Sequence, residues 1–279
     1  MKRACVIGWP INHSRSPIIH GYWIRAYGLD ASYTRVPVEP HDLVSFIRNL
    51  AANGYVGCNV TLPYKERVYD LVTSADELTG DLHAVNTIYV RDHKLYGTNT
   101  DGEGYIRSLQ SQVPELALRN SKVVVLGAGG ATASIIHIIL QQGVSEILVA
   151  NRSRERSEAL AKRFGNPVRD ILWDRRSESL ADAQLLINTT SLGMTGQPPL
   201  DIDLARLPSD AVVSDIVYTP LRTALLQDAQ RRGYRTAEGL GMLLHQAVRG
   251  FELWFGIRPV VTQELYDIVA RDVDPDYAR

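Results

Sequence analysis

The 279-residue chain is short of several things at once. It holds two cysteines, three methionines, four phenylalanines and four tryptophans. It has no excess of either charge, with 30 Lys and Arg against 31 Asp and Glu. No apolar run approaches the ~20 residues that a membrane-spanning helix needs. Each shortage excludes something. Near-neutral charge removes the broad basic field that holds nucleic acid, and it removes the acidic excess of disordered tails. Cys5 and Cys58 follow no metal-ligand spacing, so they read as buried thiols in a reducing cytoplasm. The start of the chain turns polar too early for a secretory signal. The seven histidines show no ligand-like spacing, and no metal is expected. What is plentiful is apolar material, 45% of residues, on a length that suits about two domains.

Strand-like and helix-like stretches alternate from the first residue. Residues 4–7 read as a buried strand. Ser16-Pro17 reads as a helix start, with Ser16 as N-cap and Pro17 in the first helical position. Residues 33–38 alternate as a strand does, residues 55–60 read as the next strand, and residues 84–90 and 95–98 suggest a hairpin. The texture then restarts. Residues 122–126 form an apolar run ending at Gly127-Ala128-Gly129-Gly130, followed by a helix through Ile135 and Leu140 and a strand at 146–150. Residues 185–187 and 212–213 supply two more strands. This order is that of a parallel doubly wound unit. The last forty residues are helical, with Leu244, Phe251 and Trp254 on apolar faces. The expected architecture is α/β with two domains: residues 1–102 plus 238–279 as a discontinuous α/β domain, and 103–237 as a Rossmann-type unit inserted between them.

Gly127-x-Gly129 stands directly after a β-branched strand and before a helix, the context that a dinucleotide fingerprint requires. The first glycine permits a tight turn, and the second lets the backbone approach a pyrophosphate at the helix N-terminus. Thr132 takes the third position, where Gly or Ala is usual. An NAD site usually presents Asp or Glu at the end of the next strand. Here the chain has Asn151-Arg152-Ser153, with Arg154 and Arg156 close by. Guanidinium groups match the oxygens of a 2′-phosphate, so NADP(H) is expected rather than NAD(H). The competing reading of these arginines is a solvated helix face. A methyl-donor site would want an acidic ribose partner, which this position lacks.

Four further clusters carry short polar side chains. They are Ser14-x-Ser16, Asn59-x-Thr61-x-x-x-Lys65, Asn86-Thr87 and Asn99-Thr100-Asp101-Gly102. Each is read as lying near the carboxyl end of a strand, the edge where open α/β sheets bind ligands. Singly, each has a bland account: Ser16 caps a helix, Asn59 and Asn86 satisfy loop backbone. Together they suit a small polyhydroxylated molecule.

At these residues the sequence resembles the shikimate dehydrogenase family. The resemblance rests on Gly8-Trp9-Pro10-Ile11-Asn12-His13-Ser14-Arg15-Ser16-Pro17, Asn59-Val60-Thr61-Leu62-Pro63-Tyr64-Lys65, Ala84-Val85-Asn86-Thr87 and Asn99-Thr100-Asp101-Gly102. It continues through the glycine turn, Asn151-Arg152, Asn188-Thr189-Thr190-Ser191-Leu192-Gly193-Met194, Asp215-Ile216-Val217-Tyr218-x-Pro220 and Glu238-Gly239-Leu240-Gly241-Met242-Leu243-x-x-Gln246. The family pattern departs at Gly21, where Asn is frequent, and at His83, where Gly is frequent. The resemblance implies reduction of 3-dehydroshikimate to shikimate with NADPH, in chorismate and aromatic amino-acid biosynthesis. It implies that Ser14 and Ser16 hold the substrate carboxylate, and that Asn59, Thr61, Asn86, Asp101 and Gln246 meet ring hydroxyls. It makes Lys65 and Asp101 the catalytic pair and puts Tyr218 near the substrate. Gly127, Ala128, Gly129, Gly130, Ala131, Asn151, Arg152, Ser153, Arg156 and Ile216 would bind the dinucleotide. Thr190, Met194, Gly239 and Met242 would stand near its nicotinamide.

The chemistry agrees with that pair. Hydride transfer to a ketone builds alkoxide character, which an ammonium can neutralise. Lys65 follows Pro63, a helix-start signal; a helix dipole would lower its pKa and a carboxylate partner would raise it. A cleft between the two halves is the expected reaction site. The expected partner is a small molecule, with no nucleic acid or membrane, and a homodimer is compatible. Two rival readings stand beside this one: a quinate/shikimate dehydrogenase with relaxed substrate or cofactor choice, and a non-catalytic NADP-binding regulator on the same fold.

Overall fold

The computed structural model describes residues 1–74 and 76–278. The chain runs β1 (Lys2–Gly8), α1 (Ser16–Ala26), β2 (Ala31–Pro37), α2 (Leu43–Arg48), β3 (Tyr55–Val60), α3 (Lys65–Tyr69), β4 (Thr73–Ser74), α4 (Glu77–Leu82), β5 (Thr87–Arg91) and β6 (Lys94–Thr98). It continues with α5 (Asp101–Gln112), β7 (Lys122–Leu126), α6 (Thr132–Leu140), β8 (Glu146–Ala150), α7 (Arg154–Phe164), β9 (Val168–Ile171) and β10 (Ala183–Asn188). Then come β11 (Val212–Asp215), α8 (Ala224–Arg231), β12 (Arg235–Ala237), α9 (Gly239–Phe255) and α10 (Gln263–Val273). Contacts divide the chain into two units: Met1–Asp101 with Gln246–Val269, and Gly102–His245 with Ala270–Arg279.

The first unit is built on a mixed sheet of order β2-β1-β3-β5-β6-β4. β1 pairs parallel with β2 and β3, whereas β5 is antiparallel to both β3 and β6. This pairing corrects one expectation. Asn86 does not close a strand; it precedes β5, which begins at Thr87 rather than at residue 84. Because β5 runs backwards, its amino end lies at the same sheet edge as the carboxyl ends of β1, β3 and β6. Alternation along the strands sorts two cores. Cys5, Ile7, Cys58, Val60 and Ile88 face Leu43, Ile47, Leu50 and Val68. Cys5 and Cys58 are register partners, free and fully buried, and burial pushes the Cys58 thiol up. Elsewhere in the unit, His20 is enclosed by Trp23, Tyr33, Phe251 and Trp254, stacked on Tyr33 at 4.0 Å.

The start of α1 also differs from expectation. Ser16 is its first helical residue, Arg15 holds the cap position, and no side chain caps it. The Ser16 N–H donates instead to Ser14 Oγ at 3.4 Å. The bland account of Ser16 as a capping side chain is therefore removed.

The second unit has the order β12-β11-β10-β7-β8-β9, with every pair parallel. Counted from its own first strand this is 3-2-1-4-5-6, the doubly wound order, with its switch point between β7 and β10. Val123, Val124, Val125 and Leu126 are fully buried, as a central parallel strand requires. Among the described residues, no helix is long and apolar enough to cross a membrane.

Candidate active site

In the first unit, the reversed course of β5 gathers the polar clusters on one sheet edge. Asn59, Thr87 and Thr98 are successive register partners across β3, β5 and β6. Just beyond them, Lys65 Nζ donates to Asp101 Oδ2 at 2.6 Å, with side chains only 16% and 8% exposed. Lys65 is the first residue of α3 and Asp101 the first of α5. A five-residue helix has a weak dipole, so the carboxylate is the dominant neighbour of the ammonium. The other carboxylate oxygen accepts from Asn86 Nδ2 at 2.7 Å. Asn99 Oδ1 accepts from the Asp101 N–H at 3.0 Å and fixes the start of α5. The Asp101 carboxylate is thus oriented from both sides.

Asn86 is fully engaged. Nδ2 also donates to Thr100 Oγ1 at 3.0 Å, and Oδ1 accepts from the Thr100 N–H at 2.9 Å. Thr100 Oγ1 donates to the main-chain oxygen of Gln246 at 2.9 Å, which brings Gln246 to this edge. Asn59 is similarly held. Its Oδ1 accepts from Tyr33 Oη at 2.5 Å, and Nδ2 donates to Asn86 O and Thr87 Oγ1 at 3.2 and 3.1 Å. The Ser14 and Ser16 hydroxyls lie 3.3 Å apart, spaced to donate to one carboxylate. The half-buried Thr61 follows β3, and its methyl reaches the place where a Cβ on Gly8 would stand. Tyr33 is not singled out by the sequence, and Thr87 and Thr100 enter there only as members of clusters. A strand tyrosine gives no sign of which side chain its hydroxyl will hold.

In the second unit the glycine turn joins β7 to α6. Gly127 has φ of +108° and a Cβ there would collide with Thr189, so the turn itself demands glycine. Gly129 and Gly130 are different: an added Cβ would meet nothing within 4 Å. The fold leaves open space over them, where a pyrophosphate would approach. Among the described residues the N–H groups of Gly130 and Ala131 donate to nothing. Thr132 accounts for its own size. Its Oγ1 accepts from the Gly129 N–H at 2.9 Å and donates to Thr189 Oγ1 at 2.8 Å, which donates to Leu126 O at 2.7 Å.

The Gly127 N–H donates to Ala150 O, tying the turn to the end of β8. There Asn151 Nδ2 holds Ser153 O at 2.8 Å at the start of α7. Arg154 is engaged by Glu158 at 2.9 Å and Asp170 at 3.3 Å. Arg152 and Arg156 are exposed and have no ion-pair partner among the described residues. Two guanidiniums without an ion-pair partner among the described residues, following a strand whose next residue is Asn151 rather than Asp or Glu, fit a 2′-phosphate. Ala128 stands half-buried inside the turn. Thr190 and Met194 lie on the loop after β10, and Ile216 and Tyr218 on the loop after β11. The Thr195 N–H joins these loops through Thr219 O. Gly239 lies so close to Ile216 O that no side chain fits, and Met242 follows one turn along α9. Among the described residues no three His, Cys, Asp or Glu side chains gather as a metal site.

Comparison with known proteins meets this geometry at both units. Residues 6–88 match the shikimate dehydrogenase substrate binding domain, 108–194 the shikimate/quinate 5-dehydrogenase domain, and 239–261 the shikimate 5′-dehydrogenase C-terminal domain. The shikimate dehydrogenase (NADP(+)) of Rhodopseudomonas palustris strain TIE-1 is 52% identical over 98% of both chains. The Thermus thermophilus shikimate 5-dehydrogenase, solved with NADP(H) and shikimate, is 30% identical with TM-score 0.86, over 98% of this chain and 100% of that one. The Corynebacterium glutamicum quinate dehydrogenase, solved with NAD, is 30% identical with TM-score 0.89, over 96% and 98%. With an ion-paired lysine and aspartate on one sheet edge, a glycine turn on a doubly wound sheet and identity along nearly its whole length, the chain belongs to the shikimate dehydrogenase family.

Proposed function

We propose that the chain is an oxidoreductase that reversibly reduces 3-dehydroshikimate to shikimate with NADPH, in chorismate and aromatic amino-acid biosynthesis. The observation that carries this reading is the 2.6 Å Lys65–Asp101 pair set among neutral hydrogen-bonding groups. The bound dinucleotide supplies a hydride to the carbonyl carbon. Lys65, as an ammonium, gives an Nζ proton to the oxygen as negative charge develops there. In the oxidation direction the neutral amine takes that proton back. Asp101 orients Lys65 and accepts from a ring hydroxyl. Ser14 and Ser16 donate to the substrate carboxylate, while Asn59, Thr61, Asn86 and Gln246 shape the hydroxyl subsites and Tyr218 completes the set.

We assign substrate binding and catalysis to residues 1–102 with 238–279 and NADP(H) binding to residues 103–237; the contact units differ at these edges, grouping 238–245 and 270–279 with the cofactor-binding unit. The N–H groups of Gly130 and Ala131 meet the pyrophosphate, and Arg152 and Arg156 meet the 2′-phosphate. Near-neutral charge and two free core thiols suit the cytoplasm. A homodimer is tested by light scattering against the 31.0 kDa chain mass.

A single assay decides the reaction. Shikimate and quinate are each offered with NADP⁺ and NAD⁺, and formation of the reduced cofactor is followed by absorbance. Shikimate with NADP⁺ is expected to give the highest rate. A quinate rate equal to it would favour the relaxed enzyme, and no rate with any of the four pairs would reject the enzyme reading.

A further inference from the structure

Asp215 ends β11 in the second unit with its side chain wholly inside the protein. Donors from three segments meet it. Oδ1 accepts from Asn188 Nδ2 at the end of β10 and from the Val217 N–H, both at 3.0 Å. Oδ2 accepts from Thr223 Oγ1, just before α8, at 2.7 Å. Asn188 carries the linkage onward. Its Oδ1 accepts from the N–H and the hydroxyl of Thr190, at 3.0 and 2.7 Å, and its Nδ2 also donates to Leu192 O at 3.2 Å. One carboxylate therefore ties the loop after β10 to the loop after β11. Burial pushes the Asp215 carboxyl up to about 6, and the three hydrogen bonds from Thr223, Val217 and Asn188 work against that shift.

On a doubly wound sheet the dinucleotide lies across the carboxyl edge. Its adenosine end stands beside the second strand, here β8, and its other mononucleotide lies over the second half, here β10 and β11. We infer that Asp215 is a positioning residue for the nicotinamide end of the cofactor site. Through Asn188 it sets Thr190 and Leu192, and through the Val217 N–H it sets Ile216 and Tyr218, without itself touching the cofactor. The inference rests on the NADPH reading above.

The test compares two ligands by calorimetry on the full chain: NADPH, and adenosine 2′,5′-bisphosphate, which has the adenosine end but no nicotinamide. Asp215→Ala is expected to raise the Kd for NADPH about tenfold or more, while that for the bisphosphate stays within about twofold. Asp215→Asn keeps an oxygen for Asn188 and Val217 and is expected to restore NADPH binding to within about threefold of the unaltered chain. If Asp215→Ala does not fold, Asn188→Ala carries the same expectation, since it leaves Asp215 its other two donors. Equal weakening of both ligands would mean a merely structural role and overturn the inference. So would unchanged NADPH binding in the folded variant. Failure of the unaltered chain to bind NADPH would overturn the proposed function, and this inference with it.

Discussion

Lys65 and Asp101 are 36 positions apart in the chain and 2.6 Å apart in space. General acid–base work is worth about 10²–10⁴ in rate, so Lys65→Ala is expected to lower kcat by about that factor. NADPH affinity, measured by direct titration, is expected to stay unchanged, and retained turnover would remove Lys65 from the mechanism. The two residues were legible as chemistry in the sequence, but their pairing came from family resemblance. Spacing alone does not show that the start of α3 and the start of α5 share a sheet edge. The clamp on Asp101 was less legible still. Asn86 stood out as a polar residue near a strand and, by resemblance, as a ring-hydroxyl contact; that it also holds the carboxylate from the side opposite Lys65 was not legible there. Asn188 and Asp215 lay inside motif strings without a stated role, because a buried hydrogen-bond relay leaves no periodic pattern.

Among the elements, the central strands were the most legible. Residues 122–126 carry an apolar run, Val123 to Leu126, and residues 55–60 a mostly apolar one broken by Asn59; the structure gives both strands those bounds. The edge strands β9 and β12 were not anticipated. Val168-Arg169-Asp170-Ile171 and Arg235-Thr236-Ala237 are short and polar, as edges must be to avoid pairing with other chains. α4 carries a legible departure. His83, where the family resemblance leads one to expect glycine, caps this helix with φ of 47° in the left-handed region. A side chain there costs about 1 kcal/mol relative to glycine. His83→Gly is therefore expected to raise unfolding free energy by about 0.5–1 kcal/mol, less whatever the edge contact with Tyr69 contributes. Urea unfolding of the two chains measures the difference, and a loss of stability would show that the Tyr69 contact outweighs the backbone strain.

At the scale of the whole molecule, acid sensitivity has an identifiable source. Burial holds His20 at about 3, below its ordinary 6.5, only partly opposed by the nearby Asn59 side chain, and neither ring nitrogen makes a hydrogen bond of normal geometry among the described residues. The folded chain declines a proton that the unfolded chain takes up below about pH 6.5. The His20 contribution to stability therefore falls as pH drops from about 6.5 towards 3, by about 2 kcal/mol between pH 7 and 5, opposed between about pH 6 and 4 by Asp215, whose raised carboxyl favours the fold as it takes up its proton. His20→Phe keeps a ring against Tyr33 and removes the titration. Urea midpoints at the two pH values are expected to fall less in the variant; an equal fall in both would reject the assignment. The glycine turn carries a consequence for binding thermodynamics. Thr132, Thr189 and Leu126 already hold it through side-chain hydrogen bonds that need no ligand. A dinucleotide arriving there has little backbone to order, so association at this end is limited by encounter and desolvation more than by loop closure. The residue that broke the expected glycine pattern thus exchanges chain entropy lost on binding for chain entropy lost once, on folding.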